Sequence, residues 1–575
     1  MLETRHSRDV WLLAVVAVLV LGAGMGLRDP WPADEPRFAL VAKQMVDSGQ
    51  WLFPQRGTEL YSDKPPMLMW LQATANTLVR EWRIAFLLPS LLAALGTLWC
   101  VYDLGRRLWT PRVGIYAAWA LLFAFQFTFQ AKKAQIDPLV TFWITLANYG
   151  LLRHFLKGPD WRMWTLGWFA AGLGTITKGV GALALLMVLP ALFALWRGWL
   201  PTAGAQARGA LLRDGRFWLG PLAFVLAAGL WLGPMVSTAL THPDPAYRAY
   251  LDDILFRQTV QRYTQSWDHH KAAWYHFGVM ASLWLPMALA FPWAIPAWRR
   301  RLRRRDARYL LPLVWWALVV VFFSIPDGKR DVYIMPALPM ACLAVAPLVP
   351  GLLRKRWPPR LALGFIAGLG LATLVVGAAL LLGDFGFERK LVAERGLHHH
   401  EALQLGWFLL AIAGWITGVV LWFGARRGAH AAVAGLAGLW VVFGLIGYPI
   451  LNRSSSAAEV MTEAGRLIGP DAELGMVAWR EQNMYEADRP VTTFGFGKEE
   501  HWGTEWDVQW HRGAAWLRQA PERRWLFVLG DSIQDCVDRT RAIHVGIANR
   551  RDWWLVPAAA LPRGCPDHAV PTRSR

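Results

Sequence analysis

The sequence predicts a polytopic α-helical membrane protein that ends in a small α/β domain. Three observations carry this reading. Apolar runs of roughly 20 residues, the length a bilayer-spanning helix needs, recur from Val10 to Tyr448. Arg and Lys gather in the short loops between alternate runs, as the positive-inside rule requires. After Pro449 the long runs stop, and short helix-like and strand-like stretches replace them. The chain is 575 residues long, 55% apolar, with 36 Trp and a formal charge of +19. Such a charge can mean nucleic acid, but its confinement to inter-span loops assigns it to topology, so no nucleic-acid partner is expected. The Trp residues read as interfacial belts.

A short basic start (Arg5, Arg8) leads into a first span at 10–27, which no cleavage pattern follows and which is therefore retained. Further spans are expected at 82–101, 113–130, 138–152, 164–177, 180–196, 217–240, 273–298, 309–325, 332–349, 361–382, 405–423 and 431–448, about thirteen in all. Arg106, Arg107, Arg112, Arg153, Lys157, Arg162, Arg208, Arg213, the block 299–305, Arg354, Lys355, Arg356, Arg426 and Arg427 all fall on the side of the N-terminus. That side is cytoplasmic. An odd number of spans then puts the tail outside, in the periplasm of a bacterial inner-membrane protein. The chain divides into a transmembrane part, 1–450, and a periplasmic α/β domain, 451–575.

The first outer loop, 28–81, is charged where its surroundings are greasy. Phe38, Val41, Ala42, Met45 and Val46 recur at helical spacing, an amphipathic helix suited to the membrane interface. Asp34 or Glu35 is placed to cap it, with Pro36 near its first turn, and Pro65 and Pro66 open a second short helix over 67–78. In the tail, helices are expected at 457–468 and around 514–519, and strands at 474–479, 525–529 and near 553–556. The tail carries no metal, phosphate or nucleophile motif. Cys100 and Cys342 read as buried thiols, whereas a tail outside the cytoplasm allows Cys536 and Cys565 to pair.

The outer loops together present Asp34, Glu35, Asp63, Lys64, Lys132, Lys133, Asp137, Lys178, Arg257, Arg262, His269, His270, Lys329 and Arg330, beside Tyr61, Tyr263 and Tyr333. This set suits sugar transfer from a lipid phosphate. An acceptor hydroxyl needs a carboxylate base, and a departing phosphate needs fixed cations. A donor anchored in the membrane explains a site at the bilayer surface. Each piece has a plainer reading: Asp34 and Asp137 as helix caps, Lys132 and Lys133 as headgroup contacts, Lys329 and Arg330 as a turn. Adjacent histidines (269–270, 398–400) without a carboxylate at fixed spacing read as solvated loop, and the sequence assigns no metal ligands. A lipid or sugar transporter or flippase is the alternative. No internal repeat supports it, and the spans lack charges at their midpoints.

The order Asp34-Glu35-Pro36-Arg37, Gly49-Gln50-Trp51, Pro54 and Tyr61-Ser62-Asp63-Lys64-Pro65 resembles glycosyltransferase family 39. That family includes lipid A aminoarabinose transferases and dolichyl-phosphate-mannose protein mannosyltransferases. Lys133 to Pro138, Thr177-Lys178-Gly179, Arg262-Tyr263, His270-Lys271 and Gly328-Lys329-Arg330 with Tyr333 and Pro336 extend the resemblance over roughly the first 350 residues. It implies a GT-C fold, a polyprenyl-phosphate-linked sugar as donor, an acceptor that is lipid A, a glycan or a protein, and inversion at the transferred carbon. It further implies Asp34 as the catalytic carboxylate, Asp137 as its acidic partner, and Lys64, Arg262 and Tyr333 as holders of the lipid phosphate. Glu35 joins the expected catalytic set, Lys329 and Arg330 the phosphate set, and Tyr61, Asp63, Lys133, Lys178 and His270 the substrate set. Two positions depart from the family pattern: Asp63 stands for the usual Glu, and Ser62 for an aromatic residue. The Glu-His that often precedes the Arg-aromatic pair is absent, with Gln258 and Thr259 nearby.

Overall fold

The computed structural model describes residues 2–200, 214–261, 270–383, 386–496 and 502–566. Every expected span falls on helix, although the first, 10–27, leaves its helix at Gly22. Among the described residues seven helices are long and apolar enough to cross a membrane, and nine if each of two bent pairs counts once. The difference from about thirteen lies in three helices that carry polar or charged residues and one that is apolar but short. Helix α1 (Leu2–Gly22) starts with a charged turn, and α4 (Ile136–Lys157) holds Asp137, Asn148 and His154 on buried positions. α5 (Trp161–Lys178) and the shorter apolar helix over Val180–Trp196 complete the set.

Two expected spans are not straight: 113–130 bends by 68° between Leu122 and Phe125, and 273–298 bends more sharply. Helices Tyr275–Leu283 and Met287–Arg303 meet at 100°. Pro286 lies in the break and has no amide hydrogen to continue the ladder. The crossing of α4 and α5 is the opposite case, a tight fit. A Cβ on Gly150 would come within 2.4 Å of the Met163 carbonyl, so only glycine lets the backbones approach. At the bundle centre, Asp331–Leu353 is 78% buried, while Trp357–Leu382, at 22%, offers most of its surface to lipid.

The loops expected in the cytoplasm meet one another. His6 bonds the Tyr102 hydroxyl at 3.1 Å, Arg308 reaches the Leu108 carbonyl at 3.4 Å, and the Arg305 guanidinium lies 5.3 Å from the Trp199 ring. At the opposite end the first loop meets the C-terminal domain, so those two share a side.

Helix α2 (Glu35–Ser48) follows Asp34, has Pro36 in its first turn, and stops where Gly49 turns left-handed (φ 71°) and donates to the Met45 carbonyl. It does not lie on lipid as its amphipathic pattern suggested. Phe38, Val41, Ala42 and Met45 pack with α3 (Met67–Val79), Trp231 and Met235, while Ala39 and Leu40 enter the core of the C-terminal domain. Between α2 and α3 a hairpin pairs β1 (Gln55–Arg56) with β2 (Glu59–Leu60).

The C-terminal domain holds a five-stranded sheet in the order β4-β3-β5-β7-β6. β3 (Glu473–Val477), β5 (Arg524–Leu529) and β7 (Arg551–Pro557) answer the three expected strands. β4 (Val491–Thr493) and β6 (Ile543–Ala548) are additional. β3 runs parallel to β4 and β5, and β7 antiparallel to β5 and β6. Helices Ala458–Ile468 and Trp502–Gln519 flank it, Phe527 stacks on Trp553 at 4.9 Å, and Cys536 is bonded to Cys565.

Candidate active site

Asp34 occupies the N-cap position of α2, yet its side chain makes no capping bond. Instead its carboxylate lies among polar groups of other segments. Gln135 Nε2 stands at 3.4 Å, Arg330 Nη2 at 3.6 Å and Arg37 Nη1 at 4.0 Å, and the side chain keeps 22% of its surface exposed. A carboxylate spared from capping and open to solvent can take a proton from an incoming hydroxyl.

Glu35, next in sequence, is placed differently. Its Oε2 accepts from Arg28 Nη1 at 2.5 Å and the Trp31 amide at 2.8 Å. Its Oε1 accepts from Arg28 Nη2 at 2.7 Å and the Ala134 amide at 2.9 Å. Four bonds fill the four lone-pair directions of a carboxylate. The Glu35 expected in the catalytic set is a brace joining 28–35 to 131–135, with no oxygen left for substrate. Arg28 also lies within 4.9–5.3 Å of the rings of Trp31, Tyr448 and Phe86.

Asp137, in the first turn of α4, receives Lys178 Nζ from the end of α5 at 2.5 Å, and that ammonium lies 5.2 Å from the Tyr333 ring centre. Arg330 feels both carboxylates. Burial works to lower it, but Asp34, Asp137, Tyr333 and Asp331 together hold its guanidinium above the usual value. Four expected segments thus converge around Asp34, Asp137, Lys178, Arg330 and Tyr333.

On the other flank, Tyr61 is buried with its hydroxyl unpaired. Burial, then Asp63, pushes its phenol well above the ordinary range. Asp63 accepts from Arg56 Nη1 at 3.4 Å, and Lys64, half-buried, donates to the Asp63 carbonyl at 2.8 Å. Glu481, from the C-terminal domain, accepts from Arg37 Nε at 2.7 Å. Although burial works to lower it, Arg37 is held above its ordinary value, by Glu481 first.

Other expected residues point elsewhere. Lys329 is buried, and its ammonium is spent on the carbonyls of Lys271 (3.0 Å) and Pro326, so it secures a turn rather than facing a phosphate. His270 is exposed and forms an antiparallel bridge with Gly328. Lys132 donates to the carbonyls of Val20 (3.0 Å) and Ala23 (2.6 Å) at the end of α1. Burial, then Arg28, brings it down to about 7. Lys133 lies 3.8 Å from the Phe129 ring centre, lowered by burial. Arg262, Tyr263 and His269 lie outside the described residues. Sequence reasoning missed Arg28, Gln135, Arg56 and Glu481 as parts of this region. Arg28 precedes the first quoted motif and Gln135 lies inside the quoted Lys133–Pro138, but nothing near Glu481 in sequence signals its partners. Among the described residues, no three His, Cys, Asp or Glu side chains are grouped to hold a metal ion.

Comparison with known proteins bears on the fold and the class of activity. The family model described as dolichyl-phosphate-mannose-protein mannosyltransferase matches residues 63–213. The chain is 28% identical over 505 residues to the undecaprenyl phosphate-alpha-4-amino-4-deoxy-L-arabinose arabinosyl transferase of Pseudomonas aeruginosa, covering 82% of this chain and 84% of that one. The protein of the same name from Yersinia pestis is 26% identical over 452 residues, 76% of each. The crystal structure of ArnT from Cupriavidus metallidurans bound to undecaprenyl phosphate superposes with a TM-score of 0.71 at 18% identity, covering 96% of this chain and 99% of that chain; its apo form gives 0.69 at 20%. The fold is therefore GT-C, the resemblance to glycosyltransferase family 39 is borne out, and the chain is a multi-pass inner-membrane glycosyltransferase. These matches give a transporter no support.

Proposed function

We propose that this enzyme moves one sugar from undecaprenyl monophosphate to a hydroxyl of lipid A at the periplasmic face, with inversion at the transferred carbon. The N-terminus lies in the cytoplasm and the C-terminal domain in the periplasm. The donor follows from the relatives' names and from the lipid bound in the ArnT neighbour. In this reading Asp34 takes the proton of the acceptor hydroxyl as its oxygen attacks the anomeric carbon. The bond from that carbon to the phosphate oxygen breaks in the same displacement, and undecaprenyl phosphate leaves with the bonding pair. Arg330, with Lys64 and Arg262, neutralises the growing phosphate charge, and the Tyr333 hydroxyl helps to hold the phosphate as a hydrogen-bond donor. Asp137 holds Lys178 beside Tyr333, and Tyr61 and Asp63 border the sugar.

The observation that carries the reading is Asp34 itself, an N-cap residue whose carboxylate is not used for capping and lies beside Arg330. Mass spectrometry of envelope lipids, surface glycans and periplasmic proteins from three strains tests it: a deletion, the deletion with the wild-type gene, and the deletion with Asp34→Asn. A fixed sugar mass on lipid A is expected only with wild type. Full restoration by Asp34→Asn would remove Asp34 as the base, and a mass on protein instead would replace the acceptor.

A further inference from the structure

The proposed transfer gives the C-terminal domain no part, yet that domain reaches the site through one side chain. Glu481 follows β3 at the start of the short helix Glu481–Tyr485 and is buried. Its Oε1 lies 2.7 Å from Arg37 Nε and 3.8 Å from Arg56 Nη1. On their far sides, Arg37 faces Asp34 at 4.0 Å and Arg56 donates to Asp63 at 3.4 Å. The five groups alternate in sign, from Asp34 through Arg37, Glu481 and Arg56 to Asp63. The first loop supplies four of them, and the central one comes from a segment more than 400 residues away.

The unequal distances give the arrangement its meaning. Attraction between charges grows as separation shrinks and as water is excluded, so the buried Glu481 outcompetes Asp34 for the Arg37 guanidinium. A carboxylate gripped by a close arginine has its lone pairs occupied and is a poor proton acceptor. Arg330 and Gln135 lie on Asp34 Oδ2, whereas Arg37 faces Oδ1. We infer that Glu481 is a positioning residue for glycosyl transfer, holding Arg37 back from Asp34 so that Oδ1 stays open to the acceptor hydroxyl. This rests on the transfer reading above. A contact that only docked the domain would not need this placement. Lys43 Nζ reaches the Tyr485 carbonyl at 3.2 Å from the same helix α2 and touches none of the five.

The test uses the full-length protein in lipid nanodiscs, with undecaprenyl phosphate-α-4-amino-4-deoxy-L-arabinose as donor and lipid A as acceptor. Glu481→Gln keeps the shape and loses the charge, so Arg37 closes on Asp34. The expected result is a fall in kcat of roughly 10- to 100-fold with KM for lipid A changed less than about threefold. Glu481→Asp is expected to restore about a third of kcat or more, and adding Arg37→Gln to Glu481→Gln to recover about fivefold over the single variant. A wild-type kcat in Glu481→Gln overturns the inference. So does a loss that tracks the folded fraction equally in Glu481→Gln, Glu481→Asp and the double variant. If the wild-type protein turns over neither this donor nor acceptor, the transfer reading falls and takes the inference with it. An active wild type with an unimpaired Glu481→Gln sinks the inference alone.

Discussion

The Arg28 guanidinium grips the Glu35 carboxylate through two bonds of 2.5 and 2.7 Å, both side chains being buried. Removing one partner leaves the other charge stranded in a dry setting. Arg28→Ala is expected to cost about 3–5 kcal/mol of stability, and Arg28→Lys to recover only part of that because an ammonium cannot make the paired contact. Unfolding midpoints in detergent would measure both. An Arg28→Ala protein as stable as wild type would remove Glu35's role as a brace.

Asp34 and Glu35, although adjacent, are expected to fail in different ways. Asp34→Asn should leave the unfolding midpoint unchanged and lower kcat by about 100-fold or more, the scale of a lost general base. Glu35→Gln should lower stability and the yield of folded protein instead. Steady-state kinetics normalised to folded enzyme separates the two, and matching profiles would contradict the distinction.

Glu486 gives the domain contact a pH dependence. Its Oε1 is buried without a hydrogen-bond partner, and burial, reinforced by Asp29 and opposed by Arg83 and Lys43, raises it from 4.5 to about 7. The folded protein therefore keeps a proton that the unfolded chain releases. The stability from this group is full below about pH 4.5 and is lost as the pH rises through about 7, on the order of 1–3 kcal/mol. Melting midpoints from about pH 5 to 8 should fall in wild type and run flatter in Glu486→Gln. Parallel profiles would show that another group governs the dependence.

The Cys536–Cys565 bond closes a loop of 29 residues in sequence. Chain-entropy arguments put its stabilisation at ~3–4 kcal/mol. Cys536→Ser, or reduction of the wild type, should lower the melting midpoint of the C-terminal domain, and reduction should have no effect on the variant. Free thiols at both positions in protein prepared from membranes would exclude the bond.

Much of this was legible because hydropathy reports which segments meet water. The spans, the basic inner loops and the charged outer loops follow from that alone, and Asp34, Asp137, Lys178, Arg330 and Tyr333 do converge. Hydropathy says nothing about partners. It could not distinguish Asp34 from Glu35, because their difference lies in the Ala134 amide and the Arg28 fork that only folding brings to Glu35. Lys329 looked like a phosphate ligand for the same reason, since its two carbonyl acceptors, Pro326 in its own turn and Lys271 from a segment 58 residues away, are backbone groups that only folding brings to it. β4 escaped notice as a strand of three residues, and β6 because Gly546 interrupts it at a bulge. Glu481 sits in a stretch with no motif, and its arginines lie in another part of the chain.

Helix α2 is walled in on both sides, by the membrane cluster through Phe38 and Met45 and by the C-terminal sheet domain through Ala39 and Leu40. Its outward and inward faces answer to different neighbours, so the first loop and the terminal domain constitute a single inheritable cassette. A chimera that grafts a relative's terminal domain onto this bundle would pair mismatched surfaces across α2, whereas one that transplants residues 28–81 together with that domain would preserve their fit.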